Sequence, residues 1–220
     1  MQQWLEFIFH LAEIVGTVAF AASAAMIAID RKLDLFGVLF IGITAAVGGG
    51  IMRDLFLGYT PPSAFRNPVY VAMAAATALA VFAFAFFNRK MYIRHYGRLD
   101  KIINWLDAVG LGIFGVIGVE TAIGMGHGDK MFLCVFMGLM PAVGGGILRD
   151  VFTQVIPAVL NRRVYAVASI AGCVVYYILR HTQMGIAFAM LTGMCVTVII
   201  RLCASYYKWH LPKVNLDDKA

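Results

Sequence analysis

Long apolar runs separated by short polar breaks make up most of the chain. They extend over Ile8 to Ile29, Leu35 to Tyr59, Val69 to Phe87, Leu106 to Met125, Met131 to Ile156, Val164 to Leu179 and Met184 to Ser205. A helix that crosses the hydrocarbon of a bilayer needs about 20 mainly apolar residues. The pattern therefore predicts an all-α membrane protein with seven transmembrane helices, the sixth being the shortest. The first run has neither the basic start nor the small-residue cleavage site of a secretory signal, so it is expected to remain as a span.

Two of the runs are interrupted in the same way. Val47-Gly48-Gly49-Gly50-Ile51-Met52-Arg53-Asp54 recurs 96 positions later as Val143-Gly144-Gly145-Gly146-Ile147-Leu148-Arg149-Asp150. Each glycine lowers helix propensity by about 1 kcal/mol relative to alanine and removes side-chain bulk. The Arg-Asp pair adds two charges that a span tolerates only when they serve a purpose. The glycines either let helices approach closely or mark a kinked element beside a polar path, since irregular backbone at that depth must face protein or water. Duplication next to charge favours the second reading. Pro141, three residues before Gly144, adds another cause of bending in the fifth span.

The same shift of 96 places Gly16 on Gly112, Phe36 on Phe132, Gly42 on Gly138, Pro61 on Pro157 and Arg66 on Arg162. Two units of three spans follow, residues 8–87 and 106–179, joined by a basic linker at 88–105 within one membrane domain. A seventh span at 184–205 and a tail at 206–220 lie outside the repeat. An odd number of spans per unit forces the second copy to enter from the opposite face, giving two inverted three-helix repeats plus a seventh helix, a plan common among transport proteins.

Composition agrees with a membrane class: 61% of residues are hydrophobic and 14% charged, against about 45–50% and 25% in soluble domains. The net charge of +6 is then explained by loop orientation rather than by nucleic acid. With the N-terminus outside, thirteen of the eighteen Lys and Arg residues fall in cytoplasmic segments: Arg31, Lys32, Arg89, Lys90, Arg94, Arg98, Lys101, Arg162, Arg163, Arg201, Lys208, Lys213 and Lys219. Only Arg66, Lys130 and Arg180 fall outside. The positive-inside rule therefore gives an outer N-terminus and a cytoplasmic C-terminus. Trp4 at the outer edge, with Trp105, Tyr206, Tyr207 and Trp209 at the inner one, fits the interfacial aromatic belts. The basic linker is read as this topology signal rather than as a specific anionic-lipid site.

Charges inside the spans carry the candidate chemistry. Arg53 lies about 6 Å beyond Gly49 towards the outer face, and inversion displaces Arg149 about as far towards the cytoplasm. A buried guanidinium must be paired or hydrated. Depth matching pairs Glu13 with Arg53 and Asp107 with Arg149. Asp54 and Asp150 follow their arginines by about 100° of helix, so each is expected to point elsewhere, attracting cations or fixing a neighbouring helix. Glu120 faces Ala24 in the repeat alignment, and its role is open. The run Gly110-Leu111-Gly112-Ile113-Phe114-Gly115 fits a dinucleotide fingerprint but has no preceding strand. With Gly118 it reads as a smooth face for helix packing. Cys134, Cys173, Cys195 and Cys203 show neither disulfide nor zinc spacing and are expected to pack; His10, His127 and His181 sit near span ends without ligand spacing. No nucleophile with an adjacent base is readable, so neither an enzyme, a metal centre nor a cofactor is expected.

The duplicated glycine-Arg-Asp motif on two three-span units followed by a seventh span resembles the trimeric intracellular cation (TRIC) channel family over residues 8 to 205. It is most similar to the bacterial branch, whose domain also carries the name glycine transporter. The resemblance implies a homotrimer in the inner membrane, surrounded by lipid, with a pore for monovalent cations (K⁺ or Na⁺) in each protomer. It also implies that the second and fifth spans bend at Gly48, Gly49 and Gly50 and at Gly144, Gly145 and Gly146, beside Arg53, Asp54, Arg149 and Asp150. Animal members carry Lys-containing versions of the motif, and their lipid and calcium regulation does not transfer. Two further classes stay open: a secondary transporter of a small amino acid such as glycine, since broken helices can present N-termini to a carboxylate, and a membrane scaffold without a permeation path.

Overall fold

The computed structural model describes residues 2–209 apart from 95, 162–163 and 183. Arg162, Arg163, Lys213 and Lys219, used above for orientation, and the tail at 210–220 therefore lie outside the described residues. In chain order the helices are α1 (Gln2–Asp30), α2 (Leu35–Phe56), α3 (Ser63–Arg66), α4 (Val69–Phe87), α5 (Arg89–Arg94), α6 (Tyr96–Ala122), a π-helical turn (Ile123–His127), α7 (Met131–Phe152), α8 (Ala158–Asn161), α9 (Tyr165–Arg180) and α10 (Ile186–Tyr206). Among the described residues the regular structure is all helical. Of the helices among these residues six are long and apolar enough to cross a membrane, and α9, with 16 residues, is shorter. Large side chains such as Phe36, Phe86, Phe132 and Phe188 are exposed, as a surface meeting lipid requires.

The expected spans correspond to α1, α2, α4, α6, α7, α9 and α10 with shifted ends. The largest shift is at 88–105, where the linker is itself helical: α5 occupies its start, and α6 begins ten residues before Leu106. Leu99, Ile102 and Ile103 recur at helical spacing, which extends the apolar face of α6 backwards. Ile103 is buried, and Leu99 and Ile102 line a groove shared with Met26, Val81 and Phe84.

Both α2 and α7 stop earlier than their apolar runs, at Phe56 and Phe152, and in the same manner. Tyr59 N donates to Asp54 O and Gly58 N to Leu55 O; Val155 N donates to Asp150 O and Gln154 N to Val151 O. This is the Schellman closure, in which the residue after the cap turns left-handed. That residue is Gly58 (φ 73°) in one copy and Gln154 (φ 55°) in the other, 96 positions apart.

Small residues set the helix spacing. Ala24, Ala25 and Ala28 of α1 pack with Val38, Ile41 and Ala45 of α2 and Ala78 of α4. In the other half, Val116 and Val119 of α6 join Met137 of α7, Tyr176 of α9 and Met190 of α10. The smooth face expected on the fourth span is realised: a Cβ at Gly118 would stand 2.3 Å from Met137 O, and one at Gly138 would stand 2.6 Å from Gly115 O. Of the four cysteines, Cys134 and Cys173 are buried in the core as expected, while Cys195 is exposed.

Candidate functional site

The two glycine runs meet where α2 crosses α7. A Cβ on Gly49 would lie 2.5 Å from Pro141 O, and one on Gly145 would lie 2.0 Å from Ala45 O. Side-chain-free positions are therefore what allow the two backbones to touch. Helical structure runs through both runs and through Pro141, so here the glycines serve the crossing. The third glycine of each run behaves differently in the two copies. Gly50 has nothing within 4 Å of the place a Cβ would take, whereas that place at Gly146 is 3.0 Å from Tyr165 Oη.

The Arg-Asp pairs differ from the arrangement expected of adjacent residues. Arg53 Nε and Nη2 donate to Asp54 Oδ1 at 2.9 and 2.6 Å, and Arg149 Nε donates to Asp150 Oδ1 at 2.8 Å. Helix geometry separates neighbouring Cβ atoms by about 100°, but the long arginine stem wraps across that arc once hydrocarbon packing denies it water. Asp54 and Asp150 are thus the partners of their own arginines. Their second oxygens fix the next short helix: Asp54 Oδ2 accepts from Ser63 N (2.8 Å) and Ser63 Oγ (2.6 Å) at the start of α3. Asp150 Oδ2 accepts from Ala158 N (2.7 Å) at the start of α8.

Around Arg149 this unit is sealed. Nη1 donates to Asp107 Oδ1 at 2.8 Å, the pairing read from depth matching, and to Ser23 Oγ at 3.0 Å. Arg149, Asp107 and Asp150 are at most 3% exposed. Tyr165 packs over Gly146, and the Arg201 guanidinium lies 5.0 Å from the centroid of its ring. Arg201, counted above among cytoplasmic loop charges, is in fact buried on α10. A buried ionic group of this kind is costly to break, because removing one member strands the other.

Around Arg53 the same unit borders an opening. A cavity of about 60 Å³ is lined by Glu13 and Thr17 of α1, Gly50, Arg53 and Asp54 of α2, Ser63 of α3 and Tyr70 of α4. The expected Glu13–Arg53 ion pair is not made among the described residues. Glu13 Oε2 instead accepts from Tyr70 Oη at 2.5 Å, and His10 Nδ1 lies 2.9 Å from that hydroxyl. Glu13 and Arg53 do share one cavity, but a tyrosine satisfies the carboxylate first. Nothing in the sequence marked Tyr70, since Ala166 occupies its repeat position. With Asp54 compensated by Arg53, the cavity carries one carboxylate in excess.

Glu120, whose role was open, accepts from Tyr176 Oη (2.6 Å) and from Arg180 Nε (3.0 Å), tying α6 to α9. His181 reaches Tyr177 O (2.8 Å) and Gly128 O (3.0 Å) and so holds the α6–α7 link. Among the described residues no group of three or more His, Cys, Asp or Glu is placed to hold a metal ion.

These features define a polytopic helical membrane protein with a duplicated ionic unit, sealed in one copy and open to a cavity in the other. The family described as glycine transporter matches the chain twice, over residues 10–86 and 104–181. The UPF0126 inner membrane protein YadS of Escherichia coli (strain K12) is 37% identical over 210 residues, covering 94% of this chain and 96% of its own. The UPF0126 membrane protein YvgT of Bacillus subtilis (strain 168) is 31% identical over 204 residues, 92% of this chain and 95% of its own. Among solved structures, a TRIC cation channel studied for its conductance aligns with TM-score 0.82 at 33% identity, covering 95% of this chain and 98% of that one. The TRIC trimeric intracellular cation channel orthologue from Rhodobacter sphaeroides aligns with TM-score 0.82 at 29% identity, covering 92% and 99%. The chain belongs to the glycine transporter family and shares the fold of the TRIC channels.

Proposed function

We propose that the protein is a passive channel for monovalent cations such as K⁺, assembled as a homotrimer in the inner membrane, with a path through each protomer beside α2 and α7. The observation that carries this reading is the cavity at Gly50, where an ionic unit opens to space and leaves a surplus negative charge. Carboxylates beside a narrow path favour cations, and arginines already paired do not oppose them. Likeness to the TRIC cation channels supports the same reading. In this account the two halves are inverted, with the N-terminus outside and the C-terminus cytoplasmic. The sealed unit at Arg149 is then the closed end of the path, and bending at the Gly49–Gly145 crossing is the motion that opens it.

A second reading, a transporter of a small amino acid, draws on the family's description and on inverted architecture. Planar-bilayer recording of the purified protein separates the two. Discrete unitary currents reversing near the K⁺ equilibrium potential are the expected outcome. Saturable, counterflow-competent glycine uptake without unitary current would overturn the channel reading.

A further inference from the structure

We infer that Glu13 is the cation-selecting carboxylate of the α2-side cavity, and that Tyr70, backed by His10, positions it. The inference rests on the channel reading and names the residues that give that channel its sign.

Four carboxylates lie near the two ionic units, and geometry disqualifies three. Asp54 is neutralised by Arg53 and also accepts from Ser63. Asp107 and Asp150 both bind Arg149 in a sealed core. Glu13 alone has no guanidinium partner among the described residues, and its side chain is 29% exposed at the cavity. Its Oε2 holds the Tyr70 hydroxyl, while Oε1 has no hydrogen-bond partner among the described residues and is left for an ion. A single uncompensated carboxylate with the hydroxyls of Thr17 and Tyr70 nearby suits a weakly held, partly hydrated monovalent cation. A calcium site needs six to eight oxygens.

His10 is joined to this group by one ordered chain. The Tyr70 hydroxyl gives its only proton to Glu13, so at Tyr70 Oη it must accept from His10 Nδ1, 2.9 Å away. The imidazole is 65% exposed, and Nδ1 lies 3.7 Å from Glu13 Oε2. Through this chain residues of α1 and α4 together fix Glu13 Oε2. The other ionisable groups facing the site are Tyr70 from α4, and Arg53 with Asp54 from α2. On its own helix His10 has Glu6 one turn before it and Glu13 one turn after. Loosening the chain at Tyr70 is therefore expected to weaken cation selectivity.

The test is reversal-potential measurement in a KCl gradient, with folding of each variant checked by gel filtration and circular dichroism. Glu13→Gln is expected to lower the K⁺/Cl⁻ permeability ratio about tenfold, with Glu13→Asp retaining most of it. Tyr70→Phe, which cannot donate to Glu13, should lower the ratio by less than Glu13→Gln does, and should have no further effect in the Glu13→Gln background. A folded Glu13→Gln protein with unchanged selectivity overturns the inference, as does a Tyr70→Phe change whose effect simply adds to that of Glu13→Gln. A second measurement, thermal unfolding with and without K⁺ or Tl⁺, keeps the two readings separate. Stabilisation by the ion in wild type but not in Glu13→Gln, without any current, would retain the cation site and discard the channel. Equal stabilisation in both proteins would discard the site.

Discussion

At the residue scale, the two copies of the motif act as a natural comparison. Gly58 and Gln154 fill the same left-handed position in identical helix closures, and an L-residue with a side chain is disfavoured there by about 1–2 kcal/mol. The extra chain entropy of glycine takes back part of that difference. Gln154→Gly is therefore expected to raise stability by about 0.5–1 kcal/mol, and Gly58→Gln to lower it comparably, as read from unfolding midpoints in detergent. The glycine runs permit a sharper contrast. Alanine gains about 1 kcal/mol of helix propensity over glycine, and at Gly50, with open space around it, that gain should stand. At Gly145 the new methyl would meet the backbone oxygen of Ala45 at 2.0 Å, an obstacle that cannot rotate aside. Overpacking of this kind costs about 1–3 kcal/mol. Gly145→Ala should lose stability while Gly50→Ala keeps or gains it. Equal effects at the two positions would show that the crossing is not a point of close contact.

At the element scale, the helices were legible because their apolar runs are long, and their ends were not. In the run Leu35 to Tyr59 a single glycine, Gly58, marks the stop after Phe56, and the apolar residues around it hide the signal; its left-handed turn closes the helix, and the Asp54 carboxylate holds Ser63 beyond it. The helical character of the linker at 88–105 was hidden for the opposite reason. Its charges obscured a helical face made by only three apolar residues, Leu99, Ile102 and Ile103. Depth along a helix was a good guide to which charges share a site: it placed Asp107 with Arg149 and brought Glu13 to the Arg53 cavity. It was a poor guide to which atoms bond. Asp54 and Asp150 bind the arginines beside them, and Tyr70 and Ser23, which complete the two sites, come from other helices. Neither residue is repeated at the shift of 96, so the duplication that revealed the glycines, arginines and aspartates could not reveal them. The asymmetry between an open Gly50 and a filled Gly146 has the same origin, since Val69 stands where the other copy has Tyr165.

At the scale of the whole molecule, orientation decides what the two ionic units are for. If the halves are inverted, the cavity at Arg53 and the sealed group at Arg149 face opposite compartments, and one path passes both. If they are parallel, both units lie on one face and no through-path joins them. The loops that follow α2 and α7 report this directly, because Thr60 and Ile156 occupy equivalent repeat positions and both are exposed. Cys134 and Cys173 are buried, so replacing Cys195 and Cys203 by serine should suffice to silence the native thiols. In that background Thr60→Cys is expected to react with a membrane-impermeant maleimide in intact cells, whereas Ile156→Cys should react only after the membrane is opened. The positive-inside count gives this assignment its sign, and the three spans expected in each half would give it its asymmetry. Labelling of both positions from the same side would remove the inversion, and with it the single path linking Glu13 to Arg149.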